Sequence, residues 1–365
     1  MSISNSPGQL PALSHDSNSP GQLPATYVDN FHSKEEISRM PYRCLGNTGL
    51  VVSALSFGAS SLGSVFRSTI EDESVEIVKK AIRSGINYVD TAPWYGQRKS
   101  ETILGKALKD IPRSSYYIAT KVGRYEKDVT KMFDFSTDKT FWSVNQSLNL
   151  LGLEYIDVIQ IHDIEFAPSL DIILQETLPA LQKLKEEGKV KYIGITGYPL
   201  EPIKSVIEQS SIKIDVVLSY CRATMNDNIL KEWLPYFQSR QVGVVNASPI
   251  GMGLLSSRGP PEWHPAPEKI KQTCTLAAAY CQERGVDISR LGLRFSLDQV
   301  DIPTTLVSTA SLENLSKNLE SVYTPLSDLE TKVTQEVMER FFQPLNNAHW
   351  EGIELSKYQA QLSQN

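Results

Sequence analysis

Eight short β-rich runs, each separated from the next by a helical stretch, constrain this chain more than any other feature. They are "ALSFGA" (54–59), "NYVDTA" (87–92), "YYIATKV" (116–122), "YIDVIQIH" (155–162), "KYIGITG" (191–197), "DVVLSY" (215–220), "VGVVNAS" (242–248) and "TTLVST" (304–309). Between them apolar residues recur at helical spacing. Val75, Ile77, Val78, Ala81 and Ile82 precede a glycine cap at Gly85, and Leu174, Leu178, Leu181 and Leu184 precede Gly188. The segments 229–240 and 312–322 continue the series. Most runs are apolar on both faces, as strands of a parallel sheet must be when helices cover them. This alternation predicts an α/β fold, a (β/α)8 TIM barrel. A doubly wound open sheet is the alternative. It calls for G-x-G-x-x-G after the first strand, and "FGASSLGS" has neither that spacing nor the GK[ST] of a phosphate loop.

The ends of the chain read differently. "SNSPGQLPA" occurs at Ser4–Ala12 and again at Ser17–Ala25. Such a Ser/Pro/Gly-rich repeat buries too little apolar surface to offset the entropy of ordering. The expected organisation is a disordered extension over 1–38, a barrel over 39–354 opened by an N-terminal hairpin around Asn47–Gly49, and a C-terminal tail over 355–365. The insert 251–269 and the segment from Pro325 onward are expected to fold over the barrel mouth or its side. A net charge of −6 without a basic block argues against nucleic acid as a partner. No apolar run is long enough to span a bilayer. Four cysteines without C-x-x-C spacing indicate neither a zinc cluster nor a disulfide scaffold, and a reduced, cytosolic setting is expected.

Function in such a barrel sits at the C-terminal ends of the strands. The second run ends in Asp90, with Tyr95 on its loop; the third carries Lys121; the fourth ends in His162. Adjacent strands can bring these side chains into one small volume. A free phenol titrates too high to exchange protons readily at neutral pH, and a neighbouring ammonium lowers it. Lys121 is the candidate ammonium, Asp90 the group that holds it, and His162 the donor that orients a substrate oxygen. The set suits proton transfer coupled to hydride transfer from a nicotinamide. The five histidines are scattered along the chain and form no HxH pair, so no metal site is expected at His162 and Asp163.

"YVDTAPWYG", "IATKVG", "DVIQIHD" and "YIGITGYP", in this order between Tyr42 and Val322, make the chain resemble the aldo-keto reductase family. Within it, "FGASSLGSVF", "APWYGQ", "GITGYPLE" and "VLSYCRA" look most like the L-galactose dehydrogenase branch. The resemblance implies the tetrad Asp90, Tyr95, Lys121 and His162, a nicotinamide dinucleotide bound without a Rossmann domain, and a monomer. It carries cofactor contacts onto Gly58, Ser60, Thr196, Gly197, Ser219, Ser248, Ile250, Ser308, Thr309, Asn314 and Asn318. Ala247 stands where the family has a stacking aromatic. Asn314 stands where NADP-preferring members often carry an arginine, which favours NAD over NADP. Trp94, Glu165, Phe166, Tyr198, Arg222 and the insert are the expected substrate pocket.

The resulting expectation is an NAD(P)-dependent oxidoreductase acting on a small sugar or carbonyl compound, of the L-galactose-type aldose 1-dehydrogenase kind. An NADPH-dependent aldehyde or ketone reductase and a non-catalytic regulatory barrel subunit are the alternatives.

Overall fold

The computed structural model describes residues 23–364. Its strands are β1 (Tyr42–Cys44), β2 (Val51–Ser53), β3 (Leu55–Gly58), β4 (Tyr88–Asp90), β5 (Tyr117–Val122), β6 (Ile156–Ile161), β7 (Val190–Gly197), β8 (Val216–Tyr220), β9 (Gly243–Ala247) and β10 (Thr304–Ser308). β1 and β2 form an antiparallel hairpin, while β3 to β10 close into a parallel barrel in which β10 pairs with β3. All eight β-rich runs of the sequence are barrel strands.

Side-chain alternation sorts the strands into two faces. Tyr88, Ala119, Val158, Val216, Leu218, Val245 and Leu306 fill the barrel interior. Ile159, Ile161, Ile193, Ile195 and Val217 face outward onto Leu178, Leu181, Leu184, Ile203 and Val206 of the surrounding helices. Two residues further along β4, β5, β6 and β7, the inward series becomes polar: Asp90, Lys121, Gln160 and Thr196. The register pairs Asp90 with Ala119, two residues before Lys121, and Lys121 with Gln160, which gathers these groups at the same end of the barrel.

The hairpin closes the opposite end. Leu45, Leu50 and Val52 enter the interior cluster from below, and the Tyr192 hydroxyl donates to the Thr48 carbonyl. Gly46 has φ +55°, and a Cβ there would lie 2.3 Å from the Gly243 backbone nitrogen. Only glycine admits so close an approach.

Both chain ends depart from the sequence reading. Residues 1–22, with the first repeat copy, lie outside the described residues, but 23–38 is ordered against the barrel. Leu23 packs on the core beside Tyr27 and Phe31, and the Asn87 amide donates to the Thr26 hydroxyl at 3.0 Å. The helix Lys34–Arg39, capped by Ser33, runs through the expected boundary and buries Ile37. A composition reading of the whole segment merged these apolar anchors with the repeat. At the other end the helix Ile353–Leu362 crosses the expected start of the tail. Its Tyr358 packs edge-on against Phe133 and Phe166, with ring centres 5.2 and 5.6 Å apart. Among the described residues no helix is long and apolar enough to cross a membrane.

Candidate active site

Asp90, Tyr95, Lys121 and His162 meet at the mouth. Lys121 is only 1% exposed. Its ammonium pairs with Asp90 Oδ1, donates to the Thr91 carbonyl at 2.8 Å and reaches the Tyr95 hydroxyl at 3.4 Å. The Gln160 amide donates to the second Asp90 oxygen at 2.7 Å, so the carboxylate is held from both sides. The Tyr95 and His162 rings meet edge-on, 5.9 Å between centres. Tyr95 is placed by a tight backbone crossing: a Cβ on Gly63 would lie 2.4 Å from the Tyr95 carbonyl.

Burial governs the proton affinities here. It lifts the Tyr95 phenol above its ordinary value; Lys121 pulls it down, and Asp90 and Asp163 push it up. The sequence reading expects a net lowering. The ammonium acts in that sense, but loss of hydration outweighs it, and the phenol keeps its proton at neutral pH. Burial also opposes charge on Lys121, yet Asp90 and Tyr95 more than compensate, and its pKa is raised. Asp90 is lifted by burial against the pull of Lys121 and Gln160. Burial takes His162 down to about 3, with Asp163 opposing and Lys121 and Arg124 adding to the fall. The imidazole is therefore neutral and can donate one hydrogen bond.

One wall of the mouth contains a group that the sequence reading missed. Arg124, just past β5, donates to Asp163 Oδ2 at 2.6 Å. Its guanidinium lies 4.3 Å from the Trp94 ring centre, 5.2 Å from Phe133 and 5.7 Å from Phe166. The expected pocket residues Trp94 and Phe166 are thus joined through a cation. Asp163 also faces His162 Nε2 at 3.7 Å and accepts from the Thr196 hydroxyl at 3.3 Å. Burial and the charge of Asp163 raise Glu165 to about 8; one oxygen accepts from the Tyr198 backbone at 3.0 Å, and the other is buried without a partner against Gly197. Glu354 of the C-terminal helix lies one turn before Tyr358, hence on the same face. Burial raises its carboxyl, while Arg124 lowers it and Asp163 raises it further.

Tyr198 and Arg222 sit elsewhere. Tyr198 is 3% exposed, stacked on Trp350 at 4.6 Å, and its hydroxyl accepts from the Trp350 backbone. Arg222 lies over the Tyr198 ring and pairs with Glu351 at 2.8 Å. Both bind the C-terminal segment. The local pattern of 198–222 could not show that a segment more than a hundred residues away would cover them.

The β9–β10–β3 side is different in kind. Ser60, Ala247, Ser248, Ile250 and Ser308 are half-exposed strand-end or loop positions, and Gly58 and Thr309 are buried beside them. The Ser308 hydroxyl accepts from the Ser61 backbone and donates to the Ser61 hydroxyl, both at 2.8 Å. Asn314 is exposed and Asn318 half-buried on the helix Leu312–Tyr323, which Ser311 caps. The hydroxyls and backbone groups of this strip, with Arg67 donating to the Ala310 carbonyl at 3.4 Å at its edge, have donor chemistry that fits a dinucleotide. Thr196 faces inward but is engaged with Asp163. Ser219 is an exception. The alternation that turns Leu218 inward puts Ser219 on the outer face, buried, with an unpartnered hydroxyl.

A carboxylate, an ammonium, a phenol and an imidazole thus converge at the mouth of a parallel barrel, and likeness to known proteins makes the chain an oxidoreductase. The aldo/keto reductase family model matches residues 54–339, and the chain belongs to that family. It is 46% identical to L-galactose dehydrogenase of Arabidopsis thaliana over 86% of this chain and 98% of the relative. It is 32% identical to D-arabinose 1-dehydrogenase of Saccharomyces cerevisiae, covering 82% and 93%. An aldo-keto reductase from Bacillus halodurans, solved in its holo form, superposes with a TM-score of 0.65 at 30% identity, over 82% of this chain and 96% of that one.

Proposed function

We infer that this protein is an NAD-dependent aldose 1-dehydrogenase whose substrate is L-galactose or a sugar of the same stereochemical class. The likeness over nearly the whole of the Arabidopsis relative carries the reading, with an assembled tetrad as its chemical support. A nicotinamide bound along the β9–β10–β3 strip, contacted by Gly58, Ser60, Ser308, Thr309 and Asn318, would accept the hydride. The chain's own residues do the rest. Tyr95 exchanges the proton of the reacting oxygen. Lys121, held charged by Asp90, lowers the cost of the phenolate. Neutral His162 donates to the same oxygen and orients it. The wall made by Trp94, with Arg124 over its ring and Glu354 within electrostatic reach of Arg124, suits a polyhydroxylated ring: apolar CH groups against the indole, hydroxyls against the charged groups.

NAD is favoured over NADP because the cation nearest Asn314 in sequence, Lys317, is paired with Glu313 at 2.6 Å. All four cysteines are free, in keeping with a reducing, cytosolic setting. A second reading, an aldehyde reductase, has one observation in its favour: the phenol that keeps its proton is ready to give it to a carbonyl. Initial rates with a panel of aldoses and NAD or NADP, set against a simple aldehyde with NADPH, test the choice. The highest kcat/KM is expected for L-galactose with NAD. A higher value for the simple aldehyde with NADPH would replace the first reading by the second.

A further inference from the structure

Three residues beyond Tyr95 the chain buries an ion pair that the tetrad does not use. Glu101 is fully buried and Arg98 largely so, with Arg98 Nη1 3.0 Å from Glu101 Oε2. Arg98 also donates to Ser147 at 3.3 Å and to Ser143 at 3.0 Å, both on the helix Thr137–Leu151. The other Glu101 oxygen accepts from the Thr120 hydroxyl at 2.8 Å. Thr120 directly precedes Lys121 on β5. The pair therefore spans from the loop that carries the phenol to the strand that carries the ammonium.

The backbone between them is forced. Gln97 has φ +47° and Arg98 φ +74°, left-handed conformations in two successive residues that are not glycine. Such residues persist only where their surroundings over-determine them. Arg98 N donates to the Pro93 carbonyl at 2.7 Å, and Ser100 N to the Tyr95 carbonyl at 3.2 Å, so Tyr95 lies inside the constrained loop. A buried ion pair is a poor source of stability, since desolvation offsets most of its attraction, but it does fix geometry.

We propose that Arg98 and Glu101 are positioning residues that set the distance between the Tyr95 hydroxyl and the Lys121 ammonium. The proposal rests on Tyr95 as the acid/base group. Tyr95 is faced by Asp90 from β4, Lys121 from β5, and His162 and Asp163 beyond β6; of these, Lys121 alone is tied to the Arg98–Glu101 pair through its own strand. Loosening the pair moves the phenol from the group that stabilises its ionised form and leaves the other three in place.

The test is Glu101→Gln, with the volume-keeping double substitution Arg98→Met/Glu101→Leu as a second variant that buries no unpaired charge. For both, kcat for oxidation is expected to fall about tenfold or more. The pH at half-maximal kcat should rise by about half a unit or more. The dissociation constant for NADH, read by fluorescence, and KM should stay within twofold of the parent's. A parent-like pH profile in either folded variant would overturn the proposal, as would a loss confined to melting temperature. Tyr95→Phe separates the two readings. If it remains active, the acid/base assignment fails. If it is inactive while the Glu101 variants keep the parent profile, only the positioning role fails.

Discussion

The two ends of this barrel are built on opposite terms. The plug at the bottom is apolar and close-packed: Leu45, Leu50 and Val52 of the hairpin meet Tyr88, Val158 and Val245, and Gly46 touches Gly243. The mouth buries charge, with Asp90, Lys121, Asp163 and Arg124 in one region, neutral His162 among them and left-handed backbone at Gln97, Arg98 and Asp163. The lesson lies in how each end pairs its buried carboxylates. Asp90–Lys121 at the mouth buries both partners, whereas the buried carboxylates at the other end, Asp157 and Asp215, pair with part-exposed Arg113, Lys191, Lys185 and Lys213.

The sharpest break of that contrast is Tyr95→Phe, which removes one oxygen from the mouth. Its kcat is expected to fall about a thousandfold, with the melting temperature unchanged or slightly higher. Leu45→Ala should do the reverse. At a fully buried position it should cost about 2–5 kcal/mol in a urea unfolding titration while leaving kcat/KM at 25 °C within twofold. Loss of activity in the folded Leu45 variant would show that the two ends are coupled.

Arg124→Met keeps an unbranched side chain at the Trp94 wall and removes the charged group that lies over the indole. KM for an aldose is expected to rise about tenfold, as when one charge-assisted contact is lost. The smallest effect is a slope. Glu165 holds its proton up to about 8 in the folded protein against an ordinary 4.5. The native state therefore binds more protons than the unfolded state between those limits, and stability falls as pH rises through them. Glu165→Gln should flatten the melting temperature between pH 5 and 8. An unchanged slope would move the raised proton affinity to another group.

The sequence made one end of this contrast more legible than the other. Short apolar runs alternating with glycine-capped helices sufficed for all eight strands, and strand-end position sufficed for Asp90, Lys121 and His162, because parallel strands carry their C-terminal residues to the same end of the barrel. Arg124 and Glu354 stayed hidden. They stand on turns or on a terminal helix, where no periodicity says which way a side chain points. Tyr198 and Arg222 looked available because their cover, Trp350 and Glu351, comes from far along the chain. The net direction of the Tyr95 shift was also beyond reach, since desolvation depends on enclosure that only the assembled mouth creates.

The contact of Gly46 with Gly243 has a consequence for how the chain is made. A plug formed by the hairpin has no seat until β9, nearly two hundred residues later, has emerged and paired. Contacts of such long sequence separation form late and slowly. Until then the nascent molecule is an unsealed sheet with open edges, and chaperone demand should concentrate in that interval.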